Sequence, residues 1–178
     1  MPEMFLRRLR EKYKTFYDVK EQPSCVSLPL DIYARFHQRH EKYFATKKIN
    51  IWRLDHEEHC LVKYYEHLTK KDLEEMIALL KSSIPHLTKP HPDHLKTIIT
   101  GVLVTKTPLS SNLQKSITAF KHSKAFKFYL HGWCDLRLIH LDLFTQQVTT
   151  NPAGQEVKKF YQFLFEKNNN MEIKEVSL

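Results

Sequence analysis

The sequence predicts a single α+β domain: a mixed sheet of about five strands packed by helices, with an N-terminal helical extension. Three observations lead there. Apolar residues recur at helical spacing at both ends of the chain and in two internal segments. Residues 97–105 form the most apolar short run, the mark of a strand buried on both faces. Hydrophobic residues make up 42 % of the 178 positions, enough to build a core.

The elements follow in order. Leu6, Leu9, Tyr13, Phe16 and Tyr17 define the apolar stripe of a first helix, with Arg7, Arg8, Arg10, Lys12 and Lys14 between them. Pro23, Ser24 and Ser27 mark a connector. A second helix is expected from Pro29 and Leu30, with Ile32, Tyr33, Phe36 and His40 on one face, ending before Thr46. Ile49–Leu54 and Leu61–Tyr65 read as a hairpin whose polar turn is Asp55–Glu58. Trp52 is expected to pack across it.

Thr69 and Asp72 have capping-box spacing at the start of a helix that buries Leu73, Met76, Ile77 and Leu80 and stops before Pro85. A proline- and histidine-rich loop over 85–94 leads to the apolar strand 97–105. Ser110 or Ser111 opens another helix, with Leu113, Ile117 and Phe120 inward. Ala125–Leu130 and Leu136–Leu143 are two further strands around a turn that holds His131, Gly132 and Trp133. A right-handed crossover from 97–105 through 110–120 to 125–130 makes part of the sheet parallel. Asn151 caps a last helix, with Pro152 in its first turn and Val157, Phe160, Tyr161 and Leu164 on its buried face. Residues 1–46 are thus the helical segment, 47–166 the sheet domain and 167–178 a flexible tail.

Composition narrows the chemistry. Only Gly101, Gly132 and Gly154 occur, no two closer than 22 positions. Phosphate-cradling and dinucleotide-binding turns need clustered glycine, so those nucleotide sites are excluded. No Gly-x-Ser-x-Gly elbow is present. Cys25, Cys60 and Cys134 are odd in number and far apart, which fits small buried hydrophobes in a reducing compartment. No apolar run is long enough to span a bilayer, and no apolar leader precedes Arg7, so the expected location is cytoplasmic.

The net charge is +8, concentrated at residues 1–48 (11 basic, 6 acidic) and 96–150 (7 basic, 2 acidic). Such a field favours anionic partners, nucleic acid included, and the basic first helix also suits a protein partner or a second copy of the chain. The junction of strand 97–105 with the following helix offers Lys106, Thr107, Ser110 and Ser111 to an anion. His131, Trp133 and Asn151 complete the ligand-binding candidates. His56, His59 and Cys60 are candidate metal ligands, but the spacing is not His-Glu-x-x-His and no partner pair accompanies them. No cofactor is expected. The functional expectation is a non-enzymatic protein that binds an anionic ligand or a partner through basic surface. The alternative is a metal-dependent nuclease or phosphodiesterase using Asp142, Glu156 and Lys158.

Overall fold

The computed structural model describes residues 2–41 and 53–165. The expected α+β fold is present, as one sheet of seven strands with helices on both faces. The order is α1 (Pro2–Tyr13), β1 (Asp18–Lys20), β2 (Ile32–Glu41), β3 (Arg53–Tyr65), α2 (Lys70–Leu87), β4 (His94–Thr105), α3 (Ser111–Ala119), β5 (Ser123–Ala125), β6 (Trp133–Asp142) and β7 (Gln147–Thr150). A 3-10 helix (Pro152–Val157) then runs into a last helix, α4, over 158–165. Across the sheet the strands lie β1-β2-β3-β4-β6-β5, with β7 also on β6. The pairs β3–β4 and β4–β6 are parallel, and all others are antiparallel.

Strand alternation separates two cores. On one face Tyr33, Leu61, Ile99, Leu103, Leu136 and Leu138 pack under α2 and α3. On the other, Ile32, Ala34, Cys60, Val62, Val102 and Ile139 pack under α1 and α4. The first helix docks as its stripe predicts, with Phe5, Leu9 and Tyr13 buried one turn apart. Phe16, placed on the same stripe, lies beyond the helix and is exposed.

Several expectations are corrected. The predicted second helix is β2. Ile32, Tyr33 and Phe36 fit a helical face, but β-branched and aromatic residues suit a strand equally, and continuous pairing with β3 decides the outcome. The predicted hairpin turn Asp55–Glu58 lies inside β3, which runs unbroken from Arg53 to Tyr65. Its polar side chains meet partners on neighbouring strands and connecting segments, which a linear reading does not reveal. Residues 49–52, including Trp52, and the tail 167–178 lie outside the described residues. The parallel partner of β4 is β6, not 125–130. β5 is short, and a second parallel pair, β3–β4, is joined through α2.

The Thr69–Asp72 capping box forms, with Asp72 N donating to Thr69 Oγ1 and Thr69 N to Asp72 Oδ2. Helix α2 continues through Pro85 to Leu87. The proline removes one backbone donor near the helix end, while Ile84 and Leu87 remain buried on the core. β7 was not expected; it covers the outer edge of β6 beyond the point where β5 ends.

Between β5 and β6, Lys127, Phe128 and Tyr129 have φ of 45°, 53° and 69°, and Gly132 has 70°. A Cβ on Gly132 would collide with the backbone oxygens of His94 and Leu95. Gly132→Ala is therefore expected to cost about 2 kcal/mol or more, read as a lowered denaturation midpoint.

Candidate functional site

A cavity of about 310 Å³ opens between the sheet and the helices that cover it from the two ends of the described chain. That volume lies at the small end of ligand sites. Its walls are the rings of Tyr13, Phe16, Tyr17, Phe36, Phe160 and Tyr161, with Cys60, Thr100 and Val157 between them. Its polar groups are Glu58 from β3 and Arg137 from β6. The local sequence explains the arrangement. Cys60 and Thr100 are small side chains on adjacent central strands, so the sheet surface is low there. Tyr13, Tyr17 and Phe160 stand around the gap and brace one another ring to ring.

The floor is an ion-paired network. Arg137 is 3 % exposed. Its Nε donates to the Ala153 carbonyl at 3.0 Å, Nη2 to Glu156 at 2.6 Å, and Nη1 lies 3.5 Å from Glu58 Oε2. Guanidinium carries five N–H donors, so two remain uncommitted. Tyr17 donates its hydroxyl to Glu58 at 2.7 Å, and His56 Nε2 lies 3.1 Å from the other carboxylate oxygen. Burial alone would raise the Glu58 pKa, but His56, Tyr17 and the Arg137 charge together hold it below the ordinary carboxylate value. Tyr13 and Tyr161 share a hydroxyl–hydroxyl bond of 2.7 Å behind the wall.

The thiol and the phenols of the cavity keep their protons near neutrality. Burial pushes the Cys60 thiol up to about 12, with the Glu58 charge adding to the effect. Burial likewise raises Tyr13, Tyr17 and Tyr161 well above the ordinary phenol value. The cavity therefore presents neutral rings, a neutral thiol, a carboxylate and a guanidinium.

The opposite face of the same strands carries a second polar cluster. Arg35 donates to Glu57 at 2.9 Å, His59 Nε2 lies 3.5 Å from Glu57, and the Tyr33 hydroxyl is 2.8 Å from His59 Nδ1. Burial opposes ionisation of Glu57, yet His59 and Arg35 outweigh it and set its pKa at about 2.

The residues proposed from sequence are dispersed. Cys60 lines the aromatic cavity and His56 lies beside it, against Glu58 and the Phe36 ring, whereas His59 points to the other side of β3. Among the described residues no group of three or more His, Cys, Asp or Glu side chains is placed to hold a metal ion. Asp142 and Glu156 are not brought together. Asp142 caps the turn after β6, accepting from Phe144 N, Thr145 N and Thr145 Oγ1. Glu156 meets Arg137, five residues back along β6, about 17 Å away at strand rise and on the opposite face. Lys158 begins α4.

Lys106 pairs with Glu66 at 3.0 Å, and Thr107 donates to the Glu66 carbonyl. Ser110 caps α3 and Ser111 is its first residue. The His131 carbonyl faces His94 Nδ1, and Trp133 Nε1 donates to Asp135. Asn151 is fully buried and bonded to backbone throughout, so it is a framework residue. The aromatic cavity itself was missed. In sequence Tyr13, Tyr17, Phe160 and Tyr161 each look like core, and Glu58 like a turn residue. Nothing in linear order joins Arg137 to them.

Residues 1–163 match the family described as a domain of unknown function, DUF8052. The chain belongs to this family. The matched span contains α1, the whole sheet and most of α4, so the DUF8052 region includes every wall of the cavity. No curated protein and no solved structure matches. No helix among the described residues is long and apolar enough to cross a membrane.

A smaller polar cavity of about 130 Å³ lies at the carboxyl ends of β4 and β6, lined in part by His140, Asp142, Gln147 and Thr149. Burial lowers the His140 pKa from 6.5 to about 4, against a smaller opposing pull from Asp142. His140 is thus neutral at pH 7 and offers an anion no charge there. A base with a depressed folded pKa stabilises the fold above its unfolded value and loses that contribution as pH falls. Stability is expected to drop by up to about 3 kcal/mol between pH 6.5 and pH 4, with His140→Leu flattening that part of the profile. Denaturant titrations at stepped pH provide the measurement.

Proposed function

We propose that the chain is a non-enzymatic binding domain whose ligand is a compact, neutral aromatic or heteroaromatic molecule with a hydrogen-bond donor beside an acceptor. The observation that carries this reading is the pairing of six aromatic rings with an ion-paired Glu58–Arg137 floor. Rings reward flat apolar surface by stacking and burial. A net anion would meet Glu58, and a net cation would meet Arg137. A neutral edge suits both, with Arg137 donating to its acceptor and Glu58 accepting from its donor.

Indole-3-carboxamide has the required edge, while indole-3-carboxylate and naphthalene serve as charged and apolar controls. The carboxamide is expected to raise the melting temperature most, and Val157→Phe, which narrows the cavity, to reduce the effect. No shift with any of the three, or a shift undiminished in Val157→Phe, contradicts the reading.

A second reading keeps an anionic ligand on basic surface. Lys70, Ser110 and Lys115 line a cleft where the N-termini of α2 and α3 meet. Phosphate binding that weakens with salt and disappears in Lys70→Ala/Lys115→Ala would favour it.

A further inference from the structure

The turn between β5 and β6 displays apolar side chains on a backbone that disfavours them. Phe128 is 97 % exposed, Tyr129 65 % and Leu130 75 %. Lys127, Phe128 and Tyr129 are consecutive left-handed residues, none of them glycine, asparagine or aspartate. L-residues visit this region singly and at a cost, so three in a row need a tightly determined surrounding. That surrounding is present. Leu130 N donates to Lys127 O at 3.0 Å, Gly132 N to Tyr129 O at 3.1 Å, and Phe126 and Gly132 close the base at 3.0 Å. His94 Nδ1 holds the His131 carbonyl at 2.7 Å. The turn is thus fixed from below, while its tip rests on little of its own domain: the Tyr129 ring meets Trp133 at 6.2 Å, and Phe128 stands almost wholly in solvent.

Shape and charge narrow the partner. The tip is convex, and successive side chains on a helical turn diverge by about 100°. They therefore present neither a groove nor a flat stacking platform. Leu130 has no π-face to offer a base. Lys124 and Lys127 flank the tip, Lys124 over the Phe126 ring, and residues 120–134 contain Lys121, Lys124 and Lys127 without one acidic residue. Aromatic and aliphatic side chains surrounded by lysine match the two layers of a lipid surface: acyl boundary below, anionic headgroups above.

We propose that this turn is a membrane-interface anchor, with Phe128, Tyr129 and Leu130 entering the headgroup–acyl boundary of an anionic bilayer and Lys124 and Lys127 contacting its phosphates. This site is separate from the aromatic cavity and stands or falls without it.

The test is sedimentation of the full chain with phosphatidylcholine vesicles, with and without phosphatidylglycerol. Binding is expected only with the anionic lipid, accompanied by a blue shift of tryptophan emission, Trp133 lying beside the tip. Phe128→Ser/Leu130→Ser preserves charge and touches only exposed side chains, so the melting temperature stays unchanged while vesicle affinity falls by about tenfold or more. Lys124→Glu/Lys127→Glu is expected to weaken binding as well. Failure to bind anionic vesicles overturns the proposal. So does unchanged binding in the serine variant, which would reflect only the general attraction of a +8 chain. Binding to single-stranded RNA that depends on the tip, with none to vesicles, would assign the turn to nucleic acid instead.

Discussion

Replacing Arg137 with alanine is expected to destabilise the fold by about 3–5 kcal/mol. Arg137 is 3 % exposed and ties its own strand, β6, to two other parts of the molecule: β3 through Glu58, and the 3-10 helix through Glu156 and the Ala153 carbonyl. Its removal leaves Glu58 deep beside the sheet with a negative charge and only Tyr17 and His56 as neighbours. A buried carboxylate that loses its cation, an Ala153 carbonyl that loses its donor and the space left by a large buried side chain together set the size of the effect. Glu156 contributes little, because its side chain is mostly in solvent. Arg137→Met/Glu58→Gln removes both charges while keeping volume and is expected to recover much of the loss. A double-mutant cycle in denaturant reads the coupling. A loss below about 1 kcal/mol for Arg137→Ala would mean that the network is solvated and that the cavity floor is not the buried pair described.

Asn151→Ala is expected to cost about 3 kcal/mol or more. Asn151 is 0 % exposed, and its side chain works as a short piece of strand. Oδ1 accepts from Leu138 N and Gly154 N, both at 3.0 Å, and Nδ2 donates to Leu136 O at 3.0 Å and Phe120 O at 3.2 Å. It thereby completes the edge of β6 in the gap between β5 and β7, where backbone reaches only Leu136 N, through His122 O, and Leu138 O, through Asn151 N. Alanine leaves Leu138 N and Leu136 O without these partners in the buried interior and also removes the bond to the part-buried Phe120 carbonyl, while Gly154 N keeps its bond to the residue 151 carbonyl. Asn151→Asp keeps the acceptor, loses the donor and buries a charge, so it is expected to fare no better. Thermal denaturation measures the loss, and faster amide exchange at Leu138 locates it. A near-neutral Asn151→Ala would contradict this role and return the residue to the ligand-binding candidates.

The two cases show what linear order carries. Asn151 was legible as a cap, because Asn-Pro before an apolar periodic segment has a local signature. Its bonds to Leu136, Leu138 and Phe120 have none, since they depend on where β6 passes. Thr69–Asp72 and the run 97–105 were legible for the same local reasons, capping geometry and apolar density. β2 and the first half of β3 were not. Arg35, Glu57 and His59 satisfy one another only after two strands pair, so in sequence they look like a solvated helix and a turn. The cavity was hidden for a related reason. Its walls come from α1, the segment after it, β2, β3, β4, β6 and the C-terminal helical segment, and each aromatic taken alone is ordinary core material.

Chemical-shift mapping with indole-3-carboxamide tests the binding reading most directly. The largest perturbations are expected at Tyr17, Phe36, Cys60, Thr100, Arg137 and Val157, saturating together with one affinity. Perturbations confined to the cleft between α2 and α3, or none at concentrations that saturate ordinary fragment sites, would contradict it.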